Sequence, residues 1–165
     1  MIIMATSVYD FTVKEIGGGS IPLRLYKGQV LIVVNTASKC GLAPQLEQLE
    51  RLYQDYHDQG LAIIGMPSDQ FHQELADDHD AAEYCQMHYG VTFPITQRIA
   101  VNGKQTAPLF KYLKDVSKAG MIKWNYTKFL VGRDGQLIHR YGPLTQPNAM
   151  ENAIKQALAA PTVMA

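Results

Sequence analysis

Apolar and polar positions along the chain fall into two periods, and each predicts its own kind of element. Tyr9, Phe11 and Val13 alternate, Gly17-Gly18-Gly19-Ser20 turns the chain, and Ile21, Leu23 and Leu25 alternate again, so residues 8–30 read as a β-hairpin region. Val30 to Val34 is an unbroken run of β-branched residues and leucine, the pattern of a strand buried on both faces. Pro44 suits a helix N1 position. Leu46, Leu49, Leu52, Tyr53 and Tyr56 then recur at three- and four-residue steps, which predicts an amphipathic helix ending at Gly60. Leu61 to Met66 reads as a second buried strand, closed by Pro67. Asp80 to Tyr89 and Ala107 to Val116 read as helices, the latter with Leu109, Phe110 and Leu113 on one face. Lys128 to Val131 and Gln136 to Arg140 flank the hairpin signal Arg133-Asp134-Gly135, and Asn148 to Ala159 reads as a closing helix.

Strand, helix and strand from Val30 to Met66 make a βαβ unit, whose strands are expected to be parallel neighbours. The whole pattern predicts a three-layer α/β sandwich around a central mixed β-sheet, with an N-terminal β-hairpin. No repeat, low-complexity tract or linker interrupts it, so residues 1–165 are expected to form one domain, frayed from Pro161 onward.

Composition narrows the function classes. Lys+Arg and Asp+Glu each number 15, so the formal net charge is zero, which argues against a nucleic acid or an anionic membrane held by bulk charge. No apolar run approaches the roughly 18 residues of a membrane span. The start, Met1 to Ser7, lacks the basic region of a secretory signal, and the expected location is cytoplasmic. The two cysteines, Cys40 and Cys85, do not make a disulfide framework in a chain of this length.

Cys40 falls between the end of one predicted strand and the start of the next predicted helix, the edge at which open α/β sheets place their ligands. A helix N-terminus carries about half a positive charge, which favours a thiolate over a thiol. Lys39 adds a neighbouring cation, and Gly41 lets the backbone approach a substrate closely. A thiolate attacking a peroxide oxygen, with donors for the departing oxyanion, needs this arrangement. A buried packing cysteine fits the same position. A redox pair of the C-x-x-C type does not, because Cys40-Gly41-Leu42-Ala43 lacks the second thiol, and zinc-ligand spacing is absent. A Cys–His hydrolase requires the fold to bring one of the five histidines to Cys40.

Several blocks resemble the glutathione peroxidase family. Val34-Asn35-Thr36-Ala37-Ser38-Lys39-Cys40-Gly41 is similar to the segment around its peroxidatic residue. Gly65-Met66-Pro67-Ser68-Asp69-Gln70-Phe71, Tyr89-Gly90-Val91-Thr92-Phe93-Pro94, Val101-Asn102-Gly103 and Trp124-Asn125-Tyr126-Thr127-Lys128-Phe129-Leu130 follow in the family's order, from about Tyr9 to Pro147. The resemblance implies a thioredoxin-like fold, no cofactor, and a reaction centre of Cys40, Gln73, Trp124 and Asn125. The amides and the indole N–H would serve as neutral donors to a thiolate or a leaving oxyanion. The chain departs from the family pattern at Asp69, which puts a carboxylate where an amide is usual. It also departs at His72-Gln73-Glu74-Leu75, which is one residue short, so Gln70 stands as the alternative to Gln73.

Tyr84-Cys85-Gln86-Met87-His88-Tyr89-Gly90 resembles the segment carrying the resolving cysteine of two-cysteine members. The resemblance then implies a Cys40–Cys85 disulfide reduced by thioredoxin, with hydrogen peroxide or organic and lipid hydroperoxides as substrate. Set against members of the family that carry a tetramer-building insertion between the positions of Val116 and Trp124, the short link from Ser117 to Ile122 implies, by the same resemblance, a monomer with an open site. Two alternatives share the first chemical step: a glutathione-dependent peroxidase with Cys85 idle, and a peroxide sensor or relay that passes its disulfide to a partner protein. Because Cys85 lies in a predicted helix, a disulfide would require that helix to yield locally, and Asp77-Asp78-His79-Asp80 is expected to be its mobile flank.

Overall fold

A computed structural model describes residues 5–161. The readings of Met1 to Met4, and of the chain beyond Pro161, lie outside the described residues. The N-terminal segment forms an antiparallel hairpin, β1 (Thr12–Lys14) and β2 (Ser20–Pro22), shorter than the alternation predicts. Val8–Asp10 and Leu23–Tyr26 are 3-10 turns instead. The first of these is set by a capping box: Ser7 Oγ accepts from Tyr9 N–H, and Asp10 Oδ2 accepts from Ser7 N–H.

A four-stranded mixed sheet forms the centre. Its strands are β3 (Val30–Thr36), β4 (Leu61–Pro67), β5 (Lys128–Val131) and β6 (Leu137–Tyr141), in the spatial order β4-β3-β5-β6. β3 pairs with β4 in parallel and with β5 antiparallel, so its seven residues are buried on both faces. Period-two alternation divides those residues between two cores. Val30, Ile32 and Val34 pack with Leu46, Leu49 and Leu52 of α1 (Gln45–Tyr56), with Cys85 of α2 (Asp78–Tyr89) and with Ile154 and Leu158. The last two belong to α4 (Glu151–Ala159). Leu31 and Val33 pack against Leu109, Phe110 and Leu113 of α3 (Pro108–Ser117) and against Val8, Val13 and Leu23 of the N-terminal region. The expected helices are all present. Among the described residues, no helix is long and apolar enough to cross a membrane.

Both ends of the sheet are fastened by groups outside its strands. At one end the Arg133 guanidinium donates to the carbonyls of Gly28, Gln59 and Leu158, tying the residues ahead of β3 and β4 to the last turn of α4. At the other, Pro94–Thr96 runs beside β4: Gly65 N–H donates to Pro94 O, and Thr96 N–H donates to Gly65 O. A Cβ on Gly65 would lie 2.6 Å from Ile95 Cδ1, so a larger residue there would force the end of that side chain to shift.

Lys128, the first residue of β5, is fully buried without a carboxylate partner. Its Nζ donates to Gln45 Oε1 at 2.8 Å, Thr145 O at 2.5 Å and Pro143 O at 3.3 Å. It thereby ties the first residue of α1 to the loop after β6. Burial pushes its pKa down to about 7. In the unfolded chain the same amine keeps its proton to about pH 10.4. The unfolded state therefore binds more protons across that window, and this group makes stability rise with pH there. The expected outcome is that melting temperature rises between pH 7 and 8.5 more steeply in the wild-type protein than in Lys128→Met, by calorimetry. Equal slopes would refute the buried-amine account.

Candidate active site

The C-terminal end of β3 is where the candidate residues gather, because a parallel neighbour also ends there and an antiparallel one begins. Asn35 is fully buried, and its side chain has only backbone to bond. Its Nδ2 donates to Trp124 O at 3.2 Å, its Oδ1 accepts from Thr127 N–H at 3.1 Å, and its main-chain carbonyl accepts from Tyr126 N–H at 2.7 Å. One asparagine thus fixes the turn carrying Trp124 and Asn125 against the strand leading to Cys40. Tyr126 sits in that turn at φ 65°, a left-handed conformation that costs a bulky side chain on the order of 1–3 kcal/mol. Its hydroxyl donates to Ala37 O at 2.8 Å, which helps to hold the turn.

Cys40 lies within a series of tight turns ahead of α1, not at the helix N-terminus itself. The helix begins at Gln45, and Pro44 occupies its N-cap rather than N1. Cys40 O accepts from Ala43 N–H, and Gln45 N–H donates to Leu42 O, so three-residue turns carry the chain into the helix. A hydrophobic repeat cannot register such turns, which explains the misplacement. Positive polarity at the sulfur comes from a local amide instead: Leu42 N–H donates to Cys40 Sγ at 3.4 Å. Cys40 is 5% exposed, Lys39 points into solvent, and a Cβ on Gly41 would meet nothing within 4 Å. All five histidines are exposed, so among the described residues no buried imidazole accompanies Cys40 for a hydrolase.

The segment after β4 comes back to the same place. Lys39 N–H donates to Gln73 O at 2.8 Å, which seats Gln73 beside the cysteine turn. Gln70 is engaged elsewhere: its Oε1 accepts from Val101 and Asn102 N–H groups and its Nε2 donates to Asn102 O. The shortened loop is accommodated by His72, which takes φ 59°. Asp69 does not oppose a thiolate from within; it is largely exposed and pairs with Arg98 at 3.2 Å. Glu74 Oε1 accepts from Ser38 N–H at 3.0 Å and from Leu75 N–H at 2.8 Å, joining this segment to the cysteine turn. Trp124 is partly exposed, its ring 5.3 Å from that of Phe71.

Buried polar atoms without a protein partner concentrate here. They are Thr36 Oγ1, Ser38 Oγ, Glu74 Oε2 and both amide atoms of Asn125. Each such group costs about 1–3 kcal/mol, and together they line the segments that converge on Cys40. Among the described residues, no group of three or more His, Cys, Asp or Glu side chains is arranged to hold a metal ion.

Cys85 belongs to the same apolar core as Cys40 and Tyr126. It is 1% exposed, and burial, with the Glu74 carboxylate second, pushes its thiol up to about 12. Tyr126 stands where both cysteines act on it: burial first and Cys85 second push its phenol well above the ordinary value, with Cys40 and Glu74 acting in the same direction. The helix around Cys85 is shallowly anchored, since it buries only Ala81, Ala82 and Cys85. Its polar flank is not loose, however. Asp77 caps the helix by accepting from Asp80 N–H, and Asp78 is bonded to Arg98 at 2.6 Å. Asn35, Glu74, Tyr126 and Arg98 are the residues that sequence reasoning did not single out. Only Asn35 carries a visible signal, a polar side chain at the end of an apolar strand.

A sequence profile described as glutathione peroxidase matches residues 8–114. The glutathione peroxidase of Lactococcus lactis subsp. cremoris is 51% identical over 154 residues, spanning 91% of this chain and 98% of that protein. A glutathione peroxidase-like peroxiredoxin of Schizosaccharomyces pombe is 47% identical over 154 residues, again spanning 91% and 98%. The crystal structure of Trgpx in apo form superposes with a TM-score of 0.79 at 37% identity, covering 96% of this chain and 99% of that one. A thioredoxin-family thiol:disulfide interchange protein from Chlorobium tepidum TLS superposes with a TM-score of 0.68 at 14% identity, covering 96% and 100%. At that identity the likeness is one of fold, which is thioredoxin-like.

The two thiols should differ in reactivity despite similar burial. At pH 7.5 iodoacetamide is expected to modify Cys40 at least about tenfold faster than Cys85 in the folded, reduced protein, because only a thiolate reacts. Peptide mapping by mass spectrometry reads both rates. Equal rates would contradict the placement of Cys85.

Proposed function

The chain belongs to the glutathione peroxidase family and is an oxidoreductase of the peroxidase class, and on that premise we propose that it reduces hydroperoxides through Cys40 and is recycled through Cys85 by thioredoxin. The Cys40 thiolate attacks the terminal oxygen of the hydroperoxide. The O–O bond breaks, the alcohol or water departs after taking up a proton, and Cys40 is left as a sulfenic acid. The Gln73 and Asn125 amides and the Trp124 indole N–H stabilise the thiolate and the departing oxyanion, as neutral donors suited to an uncharged substrate. Cys85 then displaces the sulfenic hydroxyl as water, and a dithiol reductant reopens the disulfide.

The observation that carries this reading is that the unpartnered buried polar atoms, Asn125 above all, fall on the segments that Asn35, Tyr126 and Glu74 tie to the approach to Cys40. Buried polar atoms are paired as a rule, so a group of them without protein partners calls for a role beyond packing. The shared core of Cys40 and Cys85 supports the resolving role. The burial of Cys85 favours the second reading, in which glutathione reduces the sulfenic acid directly and Cys85 stays idle.

NADPH consumption separates the two. With hydroperoxide, thioredoxin and thioredoxin reductase, turnover is expected in the wild-type protein, to be lost in Cys40→Ser and uncoupled from thioredoxin in Cys85→Ser. Full thioredoxin-dependent turnover of Cys85→Ser would remove the resolving role. Turnover with glutathione and its reductase alone would establish the second reading.

Asn125→Leu tests the amide. Removing an unpartnered buried amide should leave the melting temperature unchanged or higher, while Cys40 oxidation by peroxide slows about 10²-fold. A destabilised variant with wild-type oxidation rate would assign Asn125 to structure alone.

A further inference from the structure

Arg98 lies outside the reaction centre, yet three of its hydrogen bonds converge on one stretch of chain. Its Nε donates to Asp78 Oδ1 at 2.6 Å, its second terminal nitrogen to Leu75 O at 2.6 Å, and its first to Asp69 Oδ2 at 3.2 Å. Asp69 lies two residues beyond the end of β4, and Asp78 is the first residue of α2. The stretch between them carries Gln73 and Glu74, and Leu75 is bonded on both sides: its N–H to Glu74 Oε1, its carbonyl to Arg98. Glu74 Oε1 in turn accepts from Ser38 N–H, two residues before Cys40. The guanidinium is three-quarters shielded from solvent, as is Asp78, whereas Asp69 is mostly exposed.

Opposite this clamp stands a helix with little else to hold its first half. α2 buries two alanine methyls and one thiol, against three leucines in α1. Burial of two methyls stabilises packing far less than burial of leucines, which contribute about 1.5–3 kcal/mol each. A Cys85 sulfur that is 1% exposed cannot be reached by a protein reductant, so α2 has to loosen at some point in a catalytic cycle that uses Cys85.

We propose that Arg98 is a positioning residue for the resolving step. Its bonds to Asp69, Leu75 and Asp78 hold the first turn of α2 and the Gln73 segment together, and their release sets the rate at which Cys85 reaches the Cys40 sulfenic acid. The proposal rests on the resolving role given to Cys85 above. The step it controls balances without an added reagent: the Cys85 S–H and the Cys40 S–O bonds break, the S–S bond forms, and the proton and hydroxyl leave as water. Exposure also restores the Cys85 thiol from about 12 toward the ordinary range, which raises its thiolate fraction as it leaves the core.

The test uses the full chain. The reduced protein is mixed with one equivalent of hydrogen peroxide and quenched at intervals. Mass spectrometry then quantifies Cys40 sulfenic acid, trapped with a carbon acid, and the Cys40–Cys85 disulfide. The ratio of the disulfide-forming rate to the sulfenic-forming rate reads the clamp. General destabilisation lowers both rates and displacement of Gln73 lowers the sulfenic-forming rate alone, whereas loss of a clamp raises the ratio by raising the disulfide-forming rate itself. In Arg98→Gln the ratio is expected to rise about tenfold, the size of one lost charge-assisted hydrogen bond. Arg98→Lys should fall between, and Asp78→Asn should follow Arg98→Gln. Raised ionic strength should increase the ratio in the wild-type protein and not in Arg98→Gln, since it screens partly exposed pairs. Hydrogen exchange over residues 78–89 should speed up in Arg98→Gln while β3 and β4 stay protected. A wild-type disulfide with an unchanged or lower ratio in Arg98→Gln overturns the positioning role alone. Absence of the disulfide in the wild-type protein overturns the resolving role, and the positioning role with it.

Discussion

Asn35 is the interaction on which the candidate site depends. It is a polar side chain at the buried end of a strand that is otherwise apolar, and β3 is flanked on both sides, so its amide has only main chain to bond. By bonding Trp124 O and Thr127 N–H it converts a sheet edge into a fixed distance between two remote parts of the chain. The left-handed Tyr126 is tolerated because this asparagine and the Ala37 carbonyl hold both of its ends. Apolar packing places the strand; the asparagine determines what stands next to Cys40.

The two ends of the sheet treat polar groups in opposite ways. At the Arg133 end a guanidinium and three carbonyls satisfy one another. At the Cys40 end five buried polar atoms go without protein partners. Stability is thus collected at one end and given up at the other. This division is expected of a site whose donors must be free for charge that develops only during reaction. Lys128 lies between these extremes. Its buried Nζ is met by neutral oxygens alone, at the point where α1 starts.

Much of the fold is legible in the residues because burial imposes a period. The all-apolar run from Val30 and the three- and four-residue steps from Leu46 follow directly from a strand covered on both faces and a helix covered on one. Where geometry has no period, reading fails. The turns that separate Cys40 from α1 and the capped 3-10 turn at Val8–Asp10 show this. The cysteines, Trp124 and Asn125 stand within recognisable blocks, which is what made them candidates. The relations among them were not legible. Asp69 reads as a carboxylate near a thiolate until Arg98, 29 positions away, is seen to neutralise it. The acidic run Asp77 to Asp80 reads as a mobile flank until the same arginine and its own cap are seen to fasten it. Such long-range bonds leave no trace in any local pattern.

The shallow seating of α2 has a further consequence, for divergence. Glu83, Gln86, Met87 and His88 all face solvent, and none of them supports the core. Substitutions there change the surface around Cys85 with little effect on folding, because surface changes away from caps and networks alter stability by at most about 0.5 kcal/mol. The outer face of this helix is therefore free to vary without cost to the core. The surface that borders Cys85 can thus change in chemistry while the sheet and its two cores stay as they are.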